Sequence, residues 1–490
     1  MAKPTLLAIV ALLATAARLA TGFTPVPMYG QSAVLIQDTI FVYGGYRRIA
    51  SKFVATSNLY TLDVSQPWTS ANPPWVDLTD TTTGSSVAPQ SAFQTMWPSA
   101  DNVSFYVWGG GNNINQSLSQ NGFAQYNIVT KTWSIPSTVV NIPLQRRKLS
   151  ASWTSSGVAY MWGGVGDWHT AYTTDQNALH AFDDMITFDT KKLVWNVLDI
   201  IGQKPLPRMD YTVTMLHNGQ MVFIGGTTMQ QPNVTVVTRK LAPMEDIPIF
   251  DTNSATWKQI YATGAIPPVR LMHTAILSTD DISIVICCGQ NNTVSFNDVA
   301  VLDTQNWYWT IPEVEGNGNA PSPRMAISSI FVNGQMIIFF GTTNWDALFN
   351  DVSVLDTRTK SFQWITGFTL SPPSSPSSSP SPSSSPNSTN TPNGPFASEG
   401  IIITIAVVGG LLVVVIAILI FVITRKPLQK HVQTESSDDT SHVLVSVQSQ
   451  IQASSSDILL SAQNKPDQPD SAPRSHLDLH TGDHLLSPLP

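Results

Sequence analysis

Short apolar runs broken by polar turns fill the chain from about Phe23 to Phe368, and two stretches nearly repeat each other. PLPRMDYTVTMLHNGQMVFIGG occupies residues 205–226, and PSPRMAISSIFVNGQMIIFFG occupies residues 321–341. Each opens on Pro-x-Pro-Arg-Met, passes through an apolar stretch, turns at Asn-Gly-Gln-Met and closes a second apolar stretch on glycine. Short alternating runs between turn-formers predict β-strands, and Asn-Gly between two of them predicts a type I′ hairpin.

Extending the comparison finds six copies. Glycine closes an apolar strand at FVYGG (Gly44, Gly45), YVWGG (Gly109, Gly110), YMWGG (Gly163, Gly164) and VFIGG (Gly225, Gly226), then at VICCG (Gly289) and IIFFG (Gly341). A second signature follows each: LYTLDVSQPW, AQYNIVTKTW, MITFDTKKLVW, IPIFDTNSATW, VAVLDTQNWYW and VSVLDTRTKSFQW. In copies two to five an Asp or Asn precedes a Trp by six positions: Asn127 and Trp133, Asp189 and Trp195, Asp251 and Trp257, Asp303 and Trp309. The sixth copy has Phe362 there, and the first has Trp68 one position early. A period of about fifty to sixty-five residues predicts a four-stranded unit. Each copy reads as an antiparallel meander: strand a after Pro-Arg, strand b ending on glycine, strand c before the Asp, strand d from the Trp. One such sheet cannot bury both of its faces, so the copies are expected to stack radially into a closed ring. The paired glycines would let strand b approach the neighbouring sheet. The tryptophans would fill the wedge between sheets.

The twin glycines, the apolar strand after them and the Trp beyond the Asp resemble kelch repeats over most of Phe23 to Phe368. The resemblance implies an all-β fold, a six-bladed kelch β-propeller over residues 23–370, with each blade built from one continuous repeat. Cys288-Gly289 and Phe340-Gly341 stand where the family has Gly-Gly, so blades five and six are expected to be locally altered.

Outside this region the pattern changes. Residues 1–22 carry Lys3, an apolar run and then small residues, the order of a secretory signal peptide. Residues 371–399 form a Ser/Pro tract that cannot bury apolar area and reads as an extended stalk. Residues 400–424 contain the uncharged run from Ile401 to Thr424, long enough for a transmembrane helix. Arg425, Lys426 and Lys430 follow it and place the C-terminal side in the cytoplasm. Residues 425–490 are polar, Ser-rich and aperiodic, hence a disordered tail. ESSDD at 435–439 resembles an acidic-directed kinase site, Leu459-Leu460 and Leu485-Leu486 resemble sorting signals, and with no catalytic domain in the tail any signalling would recruit a cytoplasmic adaptor. The expected topology is a single-pass type I plasma-membrane protein with the propeller outside. That layout is similar to membrane-anchored, fungal-type kelch proteins grouped with galactose oxidase.

Charge narrows the function. Charged residues make up 12% of the chain and the net charge is −8, so cations are too scarce to cover a phosphate backbone and nucleic-acid binding is excluded. In an a-b-c-d meander the b–c and d–a connections share one face. That face gathers Arg147, Arg208, Arg270 and Arg324 with Asn112, Asn113, Trp168, His169, Tyr172, Asn291 and Trp345 as candidate ligand-binding residues. The competing reading makes the arginines architectural, pairing with carboxylates or carbonyls of adjacent blades. Sequons at Asn102, Asn115, Asn233, Asn291 and Asn387 are candidate glycosylation sites. Asn115, Asn233 and Asn291 map to b–c loops, which favours a small or carbohydrate ligand near the axis over a flat protein interface.

Cys287 and Cys288 are the only cysteines, and both a pair of buried thiols and a vicinal disulfide remain open. The copper-radical chemistry of galactose oxidase requires a cysteine cross-linked to a tyrosine, two histidine ligands and an axial tyrosine. On this map His169, His180, His217 and His273 do not converge, so no catalytic residue, metal or cofactor is assigned. The resulting expectation is a glycosylated cell-surface propeller that binds an extracellular protein or glycan ligand, in adhesion, wall contact or sensing. The alternative is a propeller enzyme resembling a carbohydrate or alcohol oxidase.

Overall fold

The computed structural model describes residues 22–370, except 80, 82, 112–117, 168–169, 171–178 and 234–235. The signal, stalk, membrane span and tail expected at 1–22, 371–399, 400–424 and 425–490 therefore lie outside the described residues, apart from Gly22. No helix among the described residues is long and apolar enough to cross a membrane.

Six antiparallel meanders follow one another along the described chain, each hydrogen-bonded in the order a-b-c-d. Sheet 1 is Ser32–Ile36, Thr39–Tyr43, Leu59–Asp63 and Trp75–Asp77; sheet 2 is Ala92–Pro98, Ser104–Gly111, Ala124–Asn127 and Thr132–Ser134. Sheet 3 is Ala151–Trp153, Val158–Trp162, Met185–Asp189 and Val194–Val197; sheet 4 is Thr212–Met215, Gln220–Ile224, Asp246–Asp251 and Thr256–Tyr261. Sheet 5 is Thr274–Leu277, Ser283–Cys287, Val299–Asp303 and Tyr308–Thr310; sheet 6 is Ser328–Val332, Gln335–Phe339, Val352–Asp356 and Phe362–Ile365. Each sheet is one continuous repeat.

The repeated Asp does what its side chain suits it for. Asp63, Asn127, Asp189, Asp251, Asp303 and Asp356 each end strand c and accept the N–H two residues on, closing the c–d turn. That turn sets the register, so a Trp in strand d faces the residue just before the Asp: Trp133 opposite Tyr126, Trp195 opposite Phe188, Trp257 opposite Phe250 and Trp309 opposite Leu302. In sheet 6 the buried Trp364, not Phe362, takes this place opposite Leu355. In sheet 1 Trp75 takes it opposite Leu62, so the expectation that Trp68 opens strand d is corrected. These rings pack onto the preceding sheet: Trp133 on Tyr43, Trp195 on Trp108 and Trp257 on Trp162, with centroids 4.8, 5.1 and 4.8 Å apart.

Two cycles of backbone hydrogen bonds join the sheets into a ring. In the inner cycle Gly30 donates to Ala326, Ala326 to Met272, Met272 to Asp210, Asp210 to Lys148, Lys148 to Phe93 and Phe93 back to Gly30, at 2.7–3.0 Å. All six sit at φ between 52° and 68°, the left-handed conformation that turns each N–H toward the neighbouring sheet. Each non-glycine member costs roughly 1 kcal/mol there, a cost comparable to the hydrogen bond it makes. In the outer cycle the second glycine of each strand b donates across the sheet boundary: Gly45 to Ser91, Gly110 to Arg146, Gly164 to Arg208, Gly226 to Arg270, Gly289 to Arg324 and Gly341 to Met28, at 2.8–3.0 Å. Cys288 and Phe340 hold φ 68° and 61° at the first position, the conformation of the glycines they replace. The backbone in sheets 5 and 6 is thus not altered at these positions, contrary to expectation, because the outer bond is made by the retained second glycine.

Sheet 6 meets sheet 1 differently from the other junctions. Segments entering sheets 2 to 6 each run parallel along the next strand d, as at Thr83 beside Thr132 and Val314 beside Phe362. At the seam Gly367–Phe368 pairs antiparallel with Trp68–Thr69. Phe368 is buried there, and Trp68 stacks on it at 5.8 Å.

Candidate functional site

The segments leading into strands a of sheets 3 to 6 carry an arginine at one repeated place, two residues before the left-handed residue: Arg146, Arg208, Arg270 and Arg324. Each reaches the acidic residue beside the start of strand c in its own sheet. Arg270 lies 2.8 Å from both oxygens of Asp298, Arg324 2.6 and 2.9 Å from those of Asp351, and Arg146 2.5 and 3.1 Å from those of Asp184. Arg208 approaches Asp246 at 3.5 Å. Each Nη1 also donates, at 3.1–3.3 Å, to the carbonyl of Gly163, Gly225, Cys288 or Phe340. Arg146, Arg270 and Arg324 pair bidentately and all four donate to a carbonyl, and the four arginines are 0–3% exposed. They brace each sheet, so Arg208, Arg270 and Arg324 are not offered to a ligand. Arg147 is one residue out of this register; the repeated arginine of sheet 3 is Arg146, and Arg147 pairs with Asp167 at 3.5 Å in the b–c connection. The correct register was legible, because Arg146, Arg208, Arg270 and Arg324 each stand four residues before a Ser or Thr.

What the b–c face does offer is aromatic and mainly cationic, with the exposed Asp346 paired to Arg48 at 3.3 Å. Tyr29 is buried at its centre, with the rings of Tyr46, Phe53, Phe93 and Trp345 at 5.5, 5.5, 6.0 and 5.4 Å. Phe53, Phe93 and Trp345 remain partly exposed. Arg48 lies over the Phe53 ring at 5.0 Å and Lys148 over Phe93 at 5.2 Å. A hairpin, Tyr46–Ile49 with Lys52–Ala55, projects from sheet 1 and brings Arg47, Arg48 and Lys52 without an acidic residue. A second hairpin, Thr227–Asn233 with Val236–Leu241, brings the exposed Arg239 and Lys240. Nearer the axis Lys148 pairs with the buried Asp210 at 3.3 Å. Burial pushes the Asp210 carboxyl above its usual range against the lowering pull of Lys148. Such a surface can hold an apolar anchor with carboxylates around it. Sequence reading missed Phe53 and the Tyr46–Ala55 hairpin, because the repeat signatures bracket the b–c segments without describing them, and it missed Phe93, which lies at the start of strand a of sheet 2 where the other copies carry no aromatic.

A kelch-repeat family model, the KLHDC2/KLHL20/DRC7 Kelch-repeats domain, matches residues 13–226 and 172–385. The chain belongs to the kelch-repeat family. Kelch domain-containing protein 3 of Rattus norvegicus is 23% identical over 241 residues, 49% of this chain and 58% of that protein. Acyl-CoA-binding domain-containing protein 4 of Arabidopsis thaliana is 27% identical over 157 residues, 32% of this chain and 21% of that protein. The flagellar outer arm dynein alpha chain of Chlamydomonas reinhardtii is 29% identical over 175 residues, 35% of this chain and 4% of that protein. The matched region thus spans less than two thirds of each of these relatives. The solved structure of YjhT is similar in fold, with a TM-score of 0.50 and 16% identity over 70% of this chain and 98% of that one.

On this kelch scaffold the remaining candidates separate. Trp345 joins the aromatic cluster, while Asn291, in the b–c loop of sheet 5, accepts the N–H groups of Thr293 and Val294. Asn102 is exposed in the a–b turn of sheet 2 on the opposite face, and Asn233 ends the first strand of the second b–c hairpin. Asn112, Asn113, Asn115, Trp168, His169, Tyr172 and Asn387 lie outside the described residues. Cys287 and Cys288 are both buried, with sulfurs 2.6 Å apart. Among the described residues no group of three or more His, Cys, Asp and Glu side chains could hold a metal ion. His217 sits in an exposed a–b turn beside Asp281, and His273 is buried against Thr212, so the two do not meet.

Proposed function

We propose that this protein is a six-bladed kelch propeller, anchored at the cell surface, that binds an extracellular protein through its b–c face. The observation that carries this reading is the partly exposed Phe53, Phe93 and Trp345 cluster bordered by Arg47, Arg48 and Lys52 on a projecting hairpin. Aromatic and arginine side chains together are the residues that dominate binding energy at protein interfaces. Anchorage is supported by the uncharged run from Ile401 to Thr424 with the cations after it. The exit of the described chain supports the orientation. Thr369 is held by Asn333, Gln335 and Arg358 at the a–b and c–d turns of sheet 6, so the described chain ends on the side opposite the b–c face.

A tag inserted after residue 22 should be reached by antibody on intact cells, and a C-terminal tag only after permeabilisation. The face is tested by Ile49→Asn, which creates an Asn-Ala-Ser sequon at the exposed tip of the hairpin. Its glycan should abolish surface crosslinking to the partner, whereas Asn102→Gln on the opposite face should leave it intact. Crosslinking that survives the added glycan would refute the assignment of the face.

A further inference from the structure

A funnel of about 650 Å3 runs along the axis between the six inner strands. Its narrow end is the inner hydrogen-bonded cycle. Six residues spaced by about 4.8 Å place their Cα atoms only about 5 Å from the axis. The Phe93 ring lies over Gly30, where a Cβ would meet it at 3.1 Å, and Lys148, Asp210 and Met272 line the same end. Asp210 and Met272 are each 8% exposed, whereas Trp153 at the other end is 38% exposed, so the funnel opens at the a–b turns. This mouth is on the opposite side from the b–c face.

The lining changes character along the axis. Two residues beyond each left-handed residue stands a hydroxyl: Ser32, Thr95, Ser150, Thr212, Thr274 and Ser328. Several stitch one sheet to the next. Ser32 donates to the Gln94 carbonyl at 2.6 Å, Ser150 to Tyr211 at 3.2 Å and Ser328 to Gln31 at 3.0 Å. A hydroxyl has one donor and two acceptor lone pairs, so with the donor directed at a carbonyl only acceptor capacity is left for a guest. Ser328 also accepts from Gln31 Nε2, and Thr212 and Thr274 share hydrogen bonds with His273 and Ser329, so Ser32 and Ser150 are the hydroxyls best placed to accept from a guest that brings donors. A cationic head is disfavoured by Lys148 and by Arg147 and Arg239, whose charges also act on Asp210; an anionic head meets the Asp210 carboxylate and acceptor oxygens. Nearer the mouth the lining turns apolar, with Leu35, Trp153, Met215, Leu277 and Phe331 supplied by five different sheets.

We propose that the axial funnel binds a neutral polyhydroxylated molecule bearing an apolar chain, with the hydroxyls against the Ser/Thr ring and the chain against the Leu35–Trp153–Met215–Leu277–Phe331 collar. The chemistry is that of an alkyl glycoside. The site is independent of the partner surface proposed for the b–c face.

The test uses the full chain in lipid nanodiscs and an octyl glucoside carrying a photoreactive diazirine on its alkyl chain, read by peptide mass spectrometry. Labelling should concentrate on the peptides that contain Trp153, Met215 and Phe331. Excess octyl glucoside should reduce it at least ten-fold, while glucose, octanoate and octylammonium at the same concentration reduce it less than two-fold. Trp153→Ser and Leu35→Ser, on separate sheets, should each lower labelling at least five-fold, and Val197→Ser on the outer rim should leave it unchanged. Labelling scattered over the surface, competition by octanoate or octylammonium equal to that by octyl glucoside, or indifference to both collar substitutions would overturn the proposal.

Discussion

Arg270 shows how a side chain that looks like a ligand contact becomes part of the frame. It is fully buried, pairs with both oxygens of Asp298, donates to the Cys288 carbonyl and lies 4.6 Å from the Phe296 ring centroid. Removing one partner of such a pair strands the other, and because Asp298 keeps 39% exposure the cost belongs at the low end of the usual range, about 3 kcal/mol. Arg270→Ala should lower the unfolding free energy from urea titration by that amount without changing partner crosslinking at the b–c face; a loss of crosslinking at unchanged stability would reverse the assignment. The neighbouring His273 carries a pH dependence. Burial first, and then the Arg270 charge, lower its pKa from 6.5 to about 3. Between these values the unfolded chain takes up a proton that the folded chain refuses. The stabilisation from keeping His273 neutral is therefore full above pH 6.5 and falls as the pH drops towards 3, with a limiting slope of about 1.4 kcal/mol per pH unit. Denaturation curves of His273→Asn should lose most of the slope between pH 6.5 and 4.5, and an unchanged slope would place its origin elsewhere. The sequence shows both side chains but not their burial, since Pro-x-Arg looks the same whether the guanidinium meets solvent or a carboxylate.

At the scale of the strand and its turns, the two members of each glycine pair have different tasks. A Cβ on Gly226 would lie 2.6 Å from the Met209 carbonyl and 2.7 Å from Tyr211 Cβ, at φ 81°. Both contacts belong to the segment that enters the same sheet, one of them to its backbone, so nothing can give cheaply. In sheets 5 and 6 Cys288 and Phe340 show that the first position accepts a side chain there once the backbone takes the left-handed conformation, whereas in sheets 1 to 4 a Cβ at it would meet a backbone carbonyl at 2.3–2.9 Å. Gly226→Ala should therefore destabilise by at least about 2 kcal/mol, and Cys288→Gly should stay within about 1 kcal/mol of the parent in calorimetric unfolding. Equal effects would remove the distinction. The twin glycines, the Asp turns and most of the tryptophans were legible because turn geometry and register are local, short-range constraints. Trp68 was not. Its partner Phe368 is three hundred positions away in the chain, and no local rule distinguishes a Trp that opens strand d from one that seals the ring.

The whole molecule is held by a closed cycle, so its weakest junction governs the rest. Sheet 6 and sheet 1 are far apart in sequence, and their junction relies on contacts that no single repeat supplies. Gly367–Phe368 pairs with Trp68–Thr69, and Thr369 is held by Gln335 and Arg358. Gly367 is required by space, since a Cβ there would lie 2.0 Å from the Trp68 carbonyl. Burying Phe368 contributes about 2–3 kcal/mol and each of the backbone and Thr369 hydrogen bonds about 1 kcal/mol. Ending the chain after Leu370 retains all of these groups; ending it after Thr366 removes them and exposes the edge of Trp68. The shorter chain should be less stable in urea unfolding by at least about 3 kcal/mol. Its amide hydrogens in sheets 1 and 6 should exchange much faster, while those in sheets 3 and 4 keep more protection, because the opening starts at the seam. Gly367→Val in the longer chain should reproduce the effect by blocking the same pairing. If both variants retained parental stability and uniform protection, the two backbone cycles alone would hold the ring, and the antiparallel seam would be an accessory to closure instead of its lock.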